Sequence, residues 1–152
     1  MTQFGEGILP AFEVVRPRVA GIVVCDGKVL VQKPTNEADP CYAFIGGGYE
    51  VGDTFESRIR AEFEEETTAK VVSCRYLFVV ENQFVMNKKF YHGLEMYLKV
   101  EIDRLNVESR ESHLRQYWLP LVDLMSFNLR PHVVRDAIAS GEYINIRHLR
   151  TS

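Results

Sequence analysis

Cysteine is scarce in this chain, and what there is cannot be paired off. Cys25, Cys41 and Cys74 are odd in number, widely spaced and free of any C-x-x-C. That excludes a disulfide framework or a zinc ribbon and reads as reduced thiols in a cytoplasmic protein. Long apolar runs are missing too; none approaches the ~18 residues of a membrane span. The opening MTQFGEGILPAFE lacks the basic-then-apolar plan of a secretory signal. A net charge of only −3 leaves no electrostatic footprint for a nucleic acid polymer. No repeat, low-complexity tract or long linker divides the 152 residues. One domain with a core over residues 18–140 is therefore expected.

What the chain does have is concentrated in GGGYEVGDTFESRIRAEFEEETTA, residues 46–69. From Asp53 to Glu66 six acids face two bases, a local net of −4 against −3 for the whole chain. Phe55, Ile59 and Phe63 recur every four residues, a narrow apolar stripe that predicts an amphipathic helix. Asp53 is placed to cap it, with Glu56 reaching back from three positions on. Glu62 and Glu66 lie beside the stripe and Glu65 a little further round, so the acids sit at the margin of the core. Like charges one turn apart destabilise an isolated helix. Hard divalent cations prefer such oxygens and commonly bridge to phosphates. A metal-dependent site acting on phosphate esters follows as an expectation, against the plainer alternative of a solvated acidic face.

Elsewhere VAGIVVCDGKVLVQ, residues 19–32, predicts two strands around the hairpin signal Asp26-Gly27. Residues 33–41 read as a polar loop, and Tyr42–Ile45 as a short strand feeding the glycines. Strands are expected over Val71–Val80, Phe84–Phe90 and Tyr91–Ile102. A second helix is expected near Pro131–Ser140, stopped by Gly141. The order strands, helix, strands, helix points to an α/β (or α+β) sandwich with a mixed sheet between helices.

The acidic segment resembles the Nudix box, G-x5-E-x7-R-E-U-x-E-E-x-G-U, with U a bulky aliphatic residue. Gly47, Glu62, Phe63, Glu65 and Glu66 match it, while Asp53, Ala61, Thr68 and Ala69 depart from it. VAGIVVCDGKVLVQK and WLPLVDL are similar to the family's opening hairpin and to its approach to the last helix. The resemblance implies a Nudix-like α/β/α sandwich that hydrolyses a pyrophosphate bond in a nucleoside diphosphate linked to another moiety. It implies magnesium or manganese held by Glu62, Glu65, Glu66 and the Gly47 carbonyl.

One glutamate would position or deprotonate water: Glu62 or Glu65 in the box, or Glu95, an acid in the β-rich run YHGLEMYLKV. Arg18, Lys33, Gly46 and Gly48 are the candidates for substrate contact, and the fold allows a homodimer. With Ala61 in the arginine position, Arg58, four residues before Glu62, is expected to substitute in part. The alternatives are a Nudix-fold binding or sensor protein with little turnover, and an interaction protein whose acidic helix recruits a basic partner.

Overall fold

A computed structural model describes residues 7–36 and 41–151. Its strands are β1 (Leu9–Pro10), β2 (Arg16–Ile22), β3 (Val24–Cys25), β4 (Lys28–Pro34), β5 (Ile45–Gly48), β6 (Val71–Met86), β7 (Lys89–Ile102), β8 (Leu114–Pro120) and β9 (His148–Arg150). The helices are α1 (Phe55–Glu66) and α2 (His132–Ser140), with 3₁₀ turns at Leu121–Ser126 and Glu142–Ile144. The large sheet has the order β5-β2-β7-β6-β9, with β1 also on β7; the small one is β3-β4-β8. Pairing is mixed: β2 runs parallel to β7 and antiparallel to β5. No helix of the described residues is long and apolar enough to cross a membrane.

Strand alternation sends neighbouring residues to opposite faces, and the core divides accordingly. Val19, Met96, Leu98 and Val100 pack with Ile59 and Phe63 of α1. Ala20, Phe78, Val80 and Tyr97 pack with Val134 and Ile138 of α2. The helices thus cover opposite faces, and the expected α/β/α sandwich with a mixed sheet is present.

Several local expectations change. Asp26 and Gly27 do form a left-handed turn, φ 52° and 73°. Yet they join only β3 to β4, because the chain leaves the large sheet for the small one at Val23. Lys33 and Pro34 belong to β4, and residues 37–40 of the expected loop lie outside the described residues. The strand expected at Tyr42–Ile45 runs over Ile45–Gly48 instead; Tyr42 and Ala43 make only isolated bridges. The glycines are therefore strand residues, and at Gly46 and Gly47 the chain runs too close to its neighbours for a side chain.

Three expected strands are in fact two long ones. Asn87 and Lys88 take φ of 52° and 61° and turn β6 into β7. A turn without glycine or proline is easily overlooked in sequence, whereas the polar Glu81-Asn82-Gln83 reads as a break and is not one.

Helix α1 is capped by Thr54, whose Oγ1 accepts from Ser57 N while Ser57 Oγ accepts from Thr54 N. This corrects the Asp53–Glu56 expectation, because Asp53 is turned toward Arg58. At the other end no left-handed residue is used. Thr67 is extended, φ −135°, and its buried hydroxyl donates to Phe63 O at 2.8 Å and accepts from Ala69 N at 3.1 Å. That hydroxyl adds to the Thr67 N–H bond already made to Phe63 O and gives the Ala69 N–H a partner, so the helix ends without a glycine at Thr68. Helix α2 ends as expected, with Gly141 left-handed at φ 82°.

Thr67→Val keeps shape but removes the hydroxyl, leaving the buried Ala69 N–H without its acceptor while Phe63 O keeps the Thr67 N–H. The expected loss is about 1–3 kcal/mol in urea denaturation. An unchanged midpoint would show that the hydroxyl is not what ends the helix.

Candidate active site

Glu62 packs against bare backbone. Gly47 lies on β5 opposite Val19, and a Cβ at Gly47 would overlap the Glu62 carboxylate. Only glycine leaves room for that carboxylate, which is 8% exposed. Gly46 has a different constraint: its missing Cβ would run into Val19 O on the paired strand. Gly48, opposite Arg18, has nothing close.

Arg58 secures this acid. Its Nη1 lies 3.1 Å from Glu62 Oε1, its Nε 2.8 Å from Asp53 Oδ2 and its Nη2 3.3 Å from Asp53 Oδ1. Glu50 adds a looser contact at 3.7 Å. A planar guanidinium can fork onto Asp53 and still donate to Glu62, a fixed geometry that a lysine's single ammonium does not offer. Arg58 holds the Asp53 carboxyl below its ordinary range. Arg60 is engaged elsewhere, with Glu56 at 3.0 Å and the Val71 carbonyl at 2.6 Å.

Glu66 is held from the other side. Gln32 Nε2 donates to Glu66 Oε2 at 3.2 Å, and Gln116 Nε2 donates to Gln32 Oε1 at 3.1 Å. Among the described residues, the one buried side-chain polar atom left without a partner is Gln116 Oε1. Burial pushes Glu66 up to about 7, Gln32 opposes this, and the Glu62 and Glu111 charges add to it. Glu62 is raised as well, by burial first, with Arg58 opposing and Glu65 adding. Arg18 lowers both.

Glu111 and the two glutamines are site residues that sequence reasoning missed. The loop carrying Glu111 is fastened to the end of α1: Arg110 N donates to Glu66 O at 2.8 Å, and Thr68 N to Glu108 O at 2.9 Å. Arg110 Nε reaches Thr67 O at 2.7 Å. Gln32 was visible as a polar residue on the Leu30 side of an apolar strand; nothing in the sequence marked Glu111.

The structure therefore brings Gly47, Glu62, Glu65 and Glu66 to the neighbourhood of one helix face, with Arg18 close enough for its charge to be felt. It does not bring Glu95 or Lys33 there. Glu95 shares a face with Tyr97, whose hydroxyl bonds to it, on the α2 side of the sheet. Lys33 lies over the rings of Tyr42 and Tyr117, at 4.8 and 5.1 Å.

Among the described residues no three acids, histidines or cysteines are gathered closely enough to hold an ion. Arg58 draws Glu62 one way and Gln32 draws Glu66 the other. The donor chemistry fits a hard divalent cation nonetheless. Glu62 is buried and Glu66 half-buried, both with raised pKa values, a crowding that a cation relieves.

The model of the NUDIX domain family matches residues 15–138. No curated protein matches the chain in sequence. Among solved structures it is similar to the NUDIX domain of Shewanella oneidensis NrtR complexed with ADP ribose, at 16% identity and a TM-score of 0.67, over 87% of this chain and 90% of that one. The MutT protein from Bacillus halodurans superposes with a TM-score of 0.65 at 17% identity, over 82% of each chain. The ORF135 protein of E. coli gives 0.64 at 17%, over 84% of this chain and 91% of its own.

These contacts have two measurable consequences. Arg58→Ala should lower turnover about tenfold or more by releasing Glu62 and Asp53, and Arg60→Ala far less. Equal losses in a steady-state assay would refute the assigned role. Glu66 binds its proton more tightly folded than unfolded, so its stabilising contribution is full below about 4.5 and lost as pH rises through about 7. The melting temperature of metal-free protein should fall across that window, and Glu66→Gln should flatten the fall. Identical slopes in the two proteins would rule this out.

Proposed function

The chain belongs to the NUDIX family, and from that premise we propose that it hydrolyses the pyrophosphate bond of a nucleoside diphosphate joined to another moiety, with magnesium or manganese. The single observation that carries this reading is the Glu62 carboxylate seated on Gly47 and clamped by Arg58. A solvated acidic face has no use for such an arrangement.

Glu62, Glu65, Glu66 and the Gly47 carbonyl would hold the cation. Bound there, it neutralises phosphate charge and lowers the pKa of water. The chain's own residues set the geometry. Arg58 supplies the cation that Ala61 cannot, Gln32 orients Glu66, and Arg18 offers a positive charge to the phosphates. Hydrolysis adds one water across the anhydride. Its oxygen bonds to one phosphorus, the bridging P–O bond breaks, and the proton passes to a carboxylate. Glu111, carried to Glu66 by the loop before β8, joins Glu65 as a candidate for that acceptor. Glu95, on the other face of the sheet with Tyr97, is not a candidate for it.

A substrate panel tests this: ADP-ribose, nucleotide sugars, dinucleoside polyphosphates and nucleoside triphosphates, each with and without magnesium, read as phosphate or nucleotide release. Metal-dependent release that Glu66→Gln cuts by about a hundredfold or more is the expected result. Tight metal-dependent binding with no release would favour a sensor instead.

A further inference from the structure

The tip of the β6–β7 hairpin is covered on one side and open on the other. On the β7 side β1 pairs with Lys89 and Phe90, and Ala11 N donates to Phe90 O at 2.7 Å. The outer edge of β6 is closed only in part. There β9 pairs with Val79, Val80 and Glu81; Val79 N donates to Arg147 O and Thr151 N to Glu81 O, both at 3.1 Å. The Thr151 hydroxyl then serves Gln83, accepting from its N at 2.8 Å and donating to its O at 3.0 Å. Every second residue of β6 thus turns its backbone outward, at Val79, Glu81 and Gln83. Val85 is the next in that series, and among the described residues nothing pairs with it on the outer side.

This stretch carries none of the features that keep an edge strand to itself. Gln83, Phe84, Val85 and Met86 include neither a charge nor a proline. The irregular pairings of β6 lie toward its other end, between Val71 and Ser73 and between Tyr76 and Phe78. A regular apolar edge of that kind is a template for another strand. Phe84, Val85 and Met86 are 41%, 50% and 48% exposed, with Phe84 and Met86 on one face and Val85 on the other. The Phe84 ring is already held in place, stacked on Tyr91 at 4.9 Å.

Charge decides which strand fits and in which direction. On the sheet side of this stretch lie acids, Glu81 on β6 and Glu95 opposite Val80; on the turn side lie Lys88 and Lys89. Glu95 accepts from Tyr97 and Asn82 but makes no ion pair among the described residues. A second copy of the stretch laid antiparallel sets the lysines of each chain toward the acids of the other. Laid parallel, it sets like charges together, which is unfavourable.

We infer that two copies of this chain pair edge to edge through β6, antiparallel about a two-fold axis at Val85. The two Val85 residues exchange both backbone bonds, N–H to C=O in each direction. Phe84 then faces the partner's Met86 and Met86 the partner's Phe84, a sulfur–aromatic contact made twice. Lys88 comes opposite the partner's Asn82, beside the partner's Glu95. The two-fold closes the contact, so the open part of β6 is used up and no third copy can add there. So short a pairing falls below about 1,200 Å², the size of weak and transient interfaces, and a dissociation constant of tens of micromolar is expected. Pairing of this kind does not depend on whether the chain hydrolyses an anhydride.

Sedimentation equilibrium on the full chain reads this directly. The mass should rise from 17.5 kDa toward twice that value between about 5 and 200 µM. Val85→Pro removes the outward N–H and leaves the β7 ladder intact. It should weaken pairing about tenfold or more with far-UV circular dichroism unchanged. Lys88→Glu should weaken pairing as well. Val122→Lys, at an exposed apolar residue of the Leu121–Ser126 turn, should leave it as it is.

Should Val85→Pro fail to fold, the double variant Phe84→Ala, Met86→Ala asks the same question at exposed positions. A chain that stays at 17.5 kDa up to about 200 µM overturns the pairing. So does a dimer of unchanged affinity in a folded Val85→Pro or in the double variant. A dimer that Val122→Lys abolishes uses another face, and one that Lys88→Glu tightens has another register; either result overturns it too.

Discussion

The contact between the Glu62 carboxylate and the bare backbone of Gly47 is the constraint on which the rest of the site depends. It fixes how close α1 can lie to β5. Ile59 and Phe63, on the same side of the helix, then reach the sheet, where Gly21 again leaves out a side chain to admit them. A methyl group at Gly47 would push the helix or the acid away. Core packing and acid placement are thus one requirement, not two.

Burying carboxylates at such a contact raises an electrostatic cost that the fold meets unevenly. Asp53 and Glu62 share Arg58, a planar donor with enough N–H groups for both. Glu66 has only the neutral Gln32 and stays raised. The site is therefore balanced on one side and left charge-deficient on the other, which is the side Glu111 approaches. A doubly charged cation there would have to draw Glu62 and Glu66 together, because no three such groups are gathered closely enough among the described residues.

The length of the β6–β7 hairpin has a separate consequence. Beyond the part that α2 covers, the strands continue as a face that is polar at Glu95 and Asn82 and aromatic at Phe84 and Tyr91. Arg18, paired with Glu95 across β2 and β7, lies on the same face.

Much of this was legible in the residues. The period of Phe55, Ile59 and Phe63 marked α1, the spacing of Glu62, Glu65 and Glu66 marked its acidic margin, and Gly141 marked the end of α2, because helical periodicity and backbone conformation are local properties. Other features were settled by parts of the chain far apart in sequence. The partner of Arg60 beyond its own helix, the Val71 carbonyl, was not visible in the sequence, whereas the i,i+4 spacing of Arg58 and Glu62 was. The Glu111 charge bears on Glu66 because the loop that carries it is hydrogen-bonded to the helix end. Glu95 falls on the α2 face because β2 pairs with β7 in one register. Local residue pattern thus determined the helix, its acids and the family they resemble. Which charge meets which was decided by strand register and loop docking, since an electrostatic partner is chosen by distance in space and a sequence records only distance along the chain.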